Sequence, residues 1–179
     1  MIEAGLVASR WFHYAATTVL FGLAAFSLYA RRPALSERWA RLSLAAAAVA
    51  AAASGVAWFY FSTAAMVGDL ASVPSNIPTV LTRTDFGPLW AGRTAVALLL
   101  CLPWINQRPL PAAIVSGALL ASLSLTGHAR MHDGALGILH IASDSLHLLC
   151  AGLWLGALAA FVELLWSAPE HPLTLESQQ

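Results

Sequence analysis

Residues 127–161, GHARMHDGALGILHIASDSLHLLCAGLWLGALAAF, decide how the chain folds. Four of its six histidines fall here, at helical spacings: His128 and His132 are four apart, His140 and Asp144 four apart, Asp144 and His147 three apart. At about 100° per residue, His140, Asp144 and His147 share one helix face within roughly 60°. From Leu148 to Trp166 the sole charged residue is Glu163, so this polar stripe runs directly into a segment apolar and long enough to sit in a bilayer.

The rest of the chain agrees with that reading. Hydrophobic residues make up 59% of the 179 and charged residues 10%, with a mean hydropathy of +0.70. That is more apolar surface than a soluble domain of this size can bury, so the expected class is all-α, a polytopic transmembrane helical bundle in contact with the lipid bilayer. Net charge is zero, which removes the electrostatic case for nucleic acid. Cys101 and Cys150 both lie in apolar runs and form no zinc-finger or disulfide framework.

Five spans are expected, at about 6–30, 39–67, 88–105, 111–127 and 143–166, forming one domain over residues 1–179. The first lacks a basic leader and an evident small-residue cleavage site, and Arg31-Arg32-Pro33 stops it, so it reads as an uncleaved helix. The turns carrying Arg31, Arg32, Arg38, Arg41 and Arg108 are basic and therefore expected on the cytoplasmic side, giving an N-out, C-in topology. The second span contains the run Ala45 to Ala53 followed by Ser54-Gly55, a small-residue surface on which helix backbones can approach closely. Trp58-Phe59-Tyr60-Phe61 is expected near the outer interface, and Gly68 to Gly87 reads as the longest hydrophilic loop, external.

This topology gathers the polar residues in the outer half. Arg10, His13 and Thr17 share a face of the first helix; Ser62, Met66, Asp69, Asp85 and Arg93 follow, then His128, Met131, His132, Asp133, His140, Asp144 and His147. Ionisable groups at membrane depth are costly unless paired, ligated or facing a wet cavity. Each has a structural alternative: the His140–Asp144–His147 stripe could anchor a helix end, His128 and His132 could be solvated loop residues, and His13 could be a core histidine bonded to a neighbouring helix. Met66 could simply fill a gap, and Arg93 could snorkel or act as a counter-ion. Imidazole suits copper, zinc, iron and nickel, while thioether and thiolate favour Cu(I), so copper could use every ligand type present, and composition alone does not choose among these metals. No zinc-protease signature, P-loop, nucleotide fingerprint or serine-nucleophile motif occurs, so an enzyme has little support.

Gly127-His128-Ala129, followed by Leu146-His147-Leu148-Leu149-Cys150-Ala151-Gly152-Leu153-Trp154-Leu155-Gly156-Ala157-Leu158, resembles a stretch of the bacterial copper resistance D family. There a Gly-His-Ala precedes a helix carrying His, then Trp-x-Gly-Gly-Leu. The opening Arg10-Trp11-Phe12-His13-Tyr14-Ala15-Ala16 resembles that family's first helix, with Arg and His three apart. Ala157 stands where the family commonly has a second glycine, and the likeness is to the N-terminal portion of its members.

The resemblance implies an inner-membrane protein that handles copper, Cu+ or Cu2+, beside a periplasmic copper-binding partner of the CopC type, with a homo-oligomer as a further option. On that reading His13 and His147 are the intramembrane ligands, and His128, His132 and His140 capture copper on the periplasmic side. Asp144 orients an imidazole, and Met66 is an accessory thioether. The alternatives are a membrane electron-transfer protein with haem b held between His13 and His147, and a structural subunit of a larger complex.

Overall fold

The computed structural model describes residues 1–29, 37–126 and 134–167. Among them the secondary structure is helical throughout. The helices are α1 (Ile2–Tyr29), α2 (Glu37–Val67), α3 (Val73–Arg83), α4 (Phe86–Leu100), α5 (Pro103–Asn106), α6 (Pro109–Ala121) and α7 (Gly134–Ser167). A 3₁₀ stretch, Ser122–Thr126, extends α6.

Four of these are long and apolar enough to cross a membrane: α1, α2, α6 with its extension, and α7. At 15 residues α4 is about 22 Å long, shorter than the hydrocarbon core. With α5 it lies along α2. Phe86 stacks on Phe59 near one end of α2, whereas Asn106, Gln107 and Pro109 lie beside Ala40, Arg41, Leu44 and Ser27 at the other. Among the described residues four helices are thus long enough to span, α4 is a shorter apolar helix beside them, and two basic residues, Arg41 and Arg108, come to the same end.

Three boundaries differ from expectation, each for a local reason. The third span is not continuous: Leu102 is extended (ψ 125°) because the ring of Pro103 disfavours a helical residue before it. The segment 68–87 is not all loop, since Pro74 near the first turn and apolar Val73, Ile77, Val80 and Leu81 build α3, which buries Val73 and Val80. The last helix begins at Gly134 rather than Ser143, so His140 and Asp144 lie well inside it.

The first helix is the centre of the bundle, packed on α2, α6 and α7. Against α2 it meets the alanine run, where Ala47, Ala48 and Ala51 are buried as the small-residue surface requires. Against α7 it meets glycines. A Cβ added to Gly22 would lie 2.2 Å from the Gly152 carbonyl oxygen, and one added to Gly156 would lie 2.2 Å from the Gly22 carbonyl carbon. Gly152 and Gly156, four apart on one face, thus set both the closeness and the rotation of α7.

Candidate functional site around His13

His13 is 1% exposed, nearly two turns after Leu6 on α1 and opposite the smallest residues of α2. Its room exists because Gly55 has no side chain: a Cβ there would come within 3.1 Å of the imidazole Cε1 and 3.4 Å of Nδ1. Nδ1 lies 3.0 Å from the Ala51 carbonyl oxygen and 3.2 Å from Ser54 Oγ. A carbonyl oxygen only accepts, so Nδ1 carries the proton and donates. The Ser54 hydroxyl donates to the Ala50 carbonyl oxygen at 2.6 Å, which leaves its lone pairs able to share the same imidazole proton.

The consequence falls on the other nitrogen. With Nδ1 protonated, Nε2 of the neutral ring is a bare lone pair, and it is buried with no hydrogen-bond partner among the described residues. An imidazole held through Nδ1–H by a backbone carbonyl, with Nε2 free, is the arrangement that metal-binding histidines adopt. One turn on, the Thr17 hydroxyl donates to the His13 carbonyl oxygen at 2.7 Å, which ties the face together.

Aromatic rings close the site. Trp58 stands edge-on to His13 with ring centroids 5.6 Å apart, Trp90 lies at 6.2 Å, and the two indoles meet edge to face at 4.7 Å. Trp58 is a core residue: the face it shares with Ala51 and Gly55 points at α1. Arg10 does share the face of His13, as its spacing requires, and places its guanidinium 5.6 Å over the Trp58 ring.

Arg93 does not snorkel. It is 4% exposed; Nε donates to Ser122 Oγ at 3.0 Å, and Nη2 donates to the Ser122 carbonyl oxygen and, at 3.5 Å, to Thr126 Oγ1. Its charge centre lies 5.4 Å over the Trp90 ring. Arg93 Nη1, Trp90 Nε1 and Thr63 Oγ1 are, like His13 Nε2, buried without partners among the described residues.

The other residues singled out in the sequence lie elsewhere. His140 is half-buried, and Asp144 and His147 are exposed on α7. The glycine crossing explains this. Counting at about 100° per residue, His147 lies about 140° around the helix from the inward-facing Gly152, and Asp144 and His140 about 80° and 120° on the same side. Leu148 and Leu149 take the inward positions, against Trp58, Trp90, Leu120 and Leu123. Enclosed His13 and exposed His147 therefore do not form a facing pair. Met66 is 54% exposed, and Asp69 and Asp85 are exposed at the same end of the bundle. The Asp69 carboxylate accepts from the Ser72 N–H and hydroxyl, both at 2.9 Å, and these bonds hold its pKa below the ordinary carboxylate value. His128, Met131, His132 and Asp133 lie outside the described residues. Among the described residues, no three His, Cys, Asp or Glu side chains gather as a metal-holding group.

The family model described as "Copper resistance protein D-like, N-terminal domain" matches residues 1–138. The chain is 33% identical to "Copper resistance protein D" of Pseudomonas syringae pv. tomato, over 97% of this chain and 59% of that protein. It is 27% identical to "Inner membrane protein YebZ" of Escherichia coli (strain K12), over 93% of this chain and 59% of that one. A third relative, "Copper transport protein CutJ" of Bacillus subtilis (strain 168), is 34% identical over 58% of this chain and 21% of its own length. The chain thus spans about three fifths of the length of the first two relatives. No solved structure matches it. With the family model covering most of its length, the chain belongs to the copper resistance protein D family, as a copper-related multi-pass protein of the bacterial inner membrane.

Proposed function

We propose that this protein takes copper from the periplasmic side and passes it into or across the inner membrane, with His13 Nε2 as the ligand inside the bundle. The observation that carries this is the fixed tautomer of His13: Nδ1–H is committed to Ala51 and Ser54, and Nε2 is buried without a donor among the described residues. The names of the relatives, copper resistance and copper transport, support copper as the cargo and a role without catalysis.

In this reading the basic end of the bundle is cytoplasmic, so the His13 end faces the periplasm. His128, His132 and His140 capture copper there, alone or from a copper-binding protein of the CopC type, and Met66 lends a thioether. His147 and Asp144, exposed on α7, belong to this outer set, with Asp144 orienting a neighbouring imidazole. A haem b held between His13 and His147 has less support, because the glycine crossing turns His147 away from the core. Visible absorption of the purified protein separates the two readings, since a Soret band would favour haem. Metal analysis after copper loading tests copper directly: copper retained by wild type and lost in His13→Gln supports the proposal, and equal retention removes His13 from it.

A further inference from the structure

At the end of the bundle away from His13, the last turn of α1, the first turns of α2 and the joint between α5 and α6 surround a separate cavity of about 280 Å³, lined by Ser27, Ala40, Arg41, Leu44, Asn106 and Gln107. Arg41 and Gly55 are 14 residues apart on α2, so this cavity lies about 21 Å along the helix from the imidazole pocket. Its lining is one-sided in charge. Arg41 brings a guanidinium, Asn106 and Gln107 bring amides, and no carboxylate lines it. Guanidinium and amide N–H groups are donors, and the guanidinium fork matches two oxygens of a phosphate. Leu44 and Ala40 make the remaining wall apolar, which suits carbon attached to that phosphate.

Depth in the membrane says where such a phosphate comes from. Three of the lining residues have an aromatic residue two positions away: Tyr29 from Ser27, Trp39 from Arg41, and Trp104 from Asn106. Tyr29 is 51% and Trp104 61% exposed. Tyrosine and tryptophan gather where acyl chains meet headgroups, so this girdle sets the cavity at the level of the lipid phosphates. We infer that the cavity holds the phosphodiester of an anionic phospholipid, with Arg41 on the phosphate oxygens and the Asn106 and Gln107 amides beside them. Basic pockets between transmembrane helices take headgroups of this kind. Arg41 keeps its other contacts on binding, since a guanidinium has five N–H donors. A zwitterionic headgroup fits less well, because no carboxylate of the lining receives its ammonium. The bound lipid would tie the ends of α1 and α2 to the joint between α5 and α6. Neither copper nor His13 enters this inference.

The test uses the whole chain in detergent micelles, titrated with phosphatidylglycerol or phosphatidylcholine, with native mass spectrometry counting the lipids retained. Wild type should hold one saturable phosphatidylglycerol per chain, severalfold tighter than phosphatidylcholine. Arg41 is exposed, so Arg41→Gln leaves the core intact, and it should weaken phosphatidylglycerol about tenfold. Arg38→Gln removes an equal charge one turn away, from a residue that does not line the cavity, and should change affinity little. Ala40→Leu keeps every charge and narrows the cavity, so it should weaken the lipid as Arg41→Gln does. No saturable phosphatidylglycerol in the wild type, or unchanged affinity in Arg41→Gln, overturns the site. Equal losses in Arg38→Gln and Arg41→Gln, or wild-type affinity in Ala40→Leu, reduce the effect to general attraction of lipid to a basic surface and overturn it too. Inorganic phosphate that displaces phosphatidylglycerol at equal concentration would make free phosphate the ligand and defeat the lipid assignment.

Discussion

Gly55→Ala separates fold from function, because its two effects have opposite signs. The new Cβ would lie 3.1 Å from His13 Cε1 and 3.4 Å from Nδ1, so the imidazole must retreat by a few tenths of an ångström. Trp58 and Trp90 stand against the ring and limit where it can go. The bond from Nδ1 to the Ala51 carbonyl, now 3.0 Å, would lengthen or bend, at a cost of about 1 kcal/mol. Against that, alanine in the middle of α2 is better than glycine by about 1 kcal/mol. Stability should change little, whereas copper affinity should drop by about tenfold, the lower range for loss of the group that orients a metal-binding histidine. Thermal unfolding followed by near-ultraviolet circular dichroism gives the first quantity, and titration against a copper chelator of known affinity gives the second. Wild-type affinity in a folded Gly55→Ala protein would refute the claim that the geometry of His13 sets copper binding.

Gly156→Leu should destabilise the protein by several kcal/mol, as thermal unfolding would show, because even a Cβ meets the Gly22 backbone at 2.2 Å and α7 would have to move off α1. In a variant lacking Cys101 and Cys150, a cysteine at Ser75 should react with an impermeant thiol reagent in intact spheroplasts and one at Ser36 should not; the reverse pattern inverts the topology. His147→Ala should cut copper uptake at equal membrane expression by about tenfold, with Asp144→Asn milder; wild-type uptake in both would take the exposed face of α7 out of the pathway.

That the chain is built of long apolar helices, and that His13 shares a face with Arg10 and Thr17, could be read from residues alone because both depend on local periodicity. Twenty or more apolar residues in a row have few fates, and Arg10, His13 and Thr17 must share a face of any helix that holds them. The alanine run before Ser54-Gly55 likewise announced where α2 would be approached. What periodicity does not give is which way a face turns. The histidine stripe of α7 is a true stripe, but its direction is set by Gly152 and Gly156, and that pair of glycines four apart was the available signal. Tryptophan's preference for the interface depth says nothing of which way Trp58 faces, and the small residues Gly55 and Ala51 beside it draw its face inward. Pro103 marks the break between α4 and α5, and the apolar spacing of Val73, Ile77 and Val80 marks α3; both are local signals present in the sequence. The pairing of Arg93 with Ser122, 29 residues away, had no sequence signature at all.

The central claim is that copper inside the bundle is held by Nε2 of His13. Copper stoichiometry and affinity of purified wild-type protein, His13→Gln and His128→Ala, each shown to be folded, test it most directly. The account predicts that His13→Gln loses the tightest-bound copper while His128→Ala keeps it and is only slowed in loading. Full copper retention in His13→Gln together with its loss in His128→Ala would place the site in the segment before α7 and contradict the account.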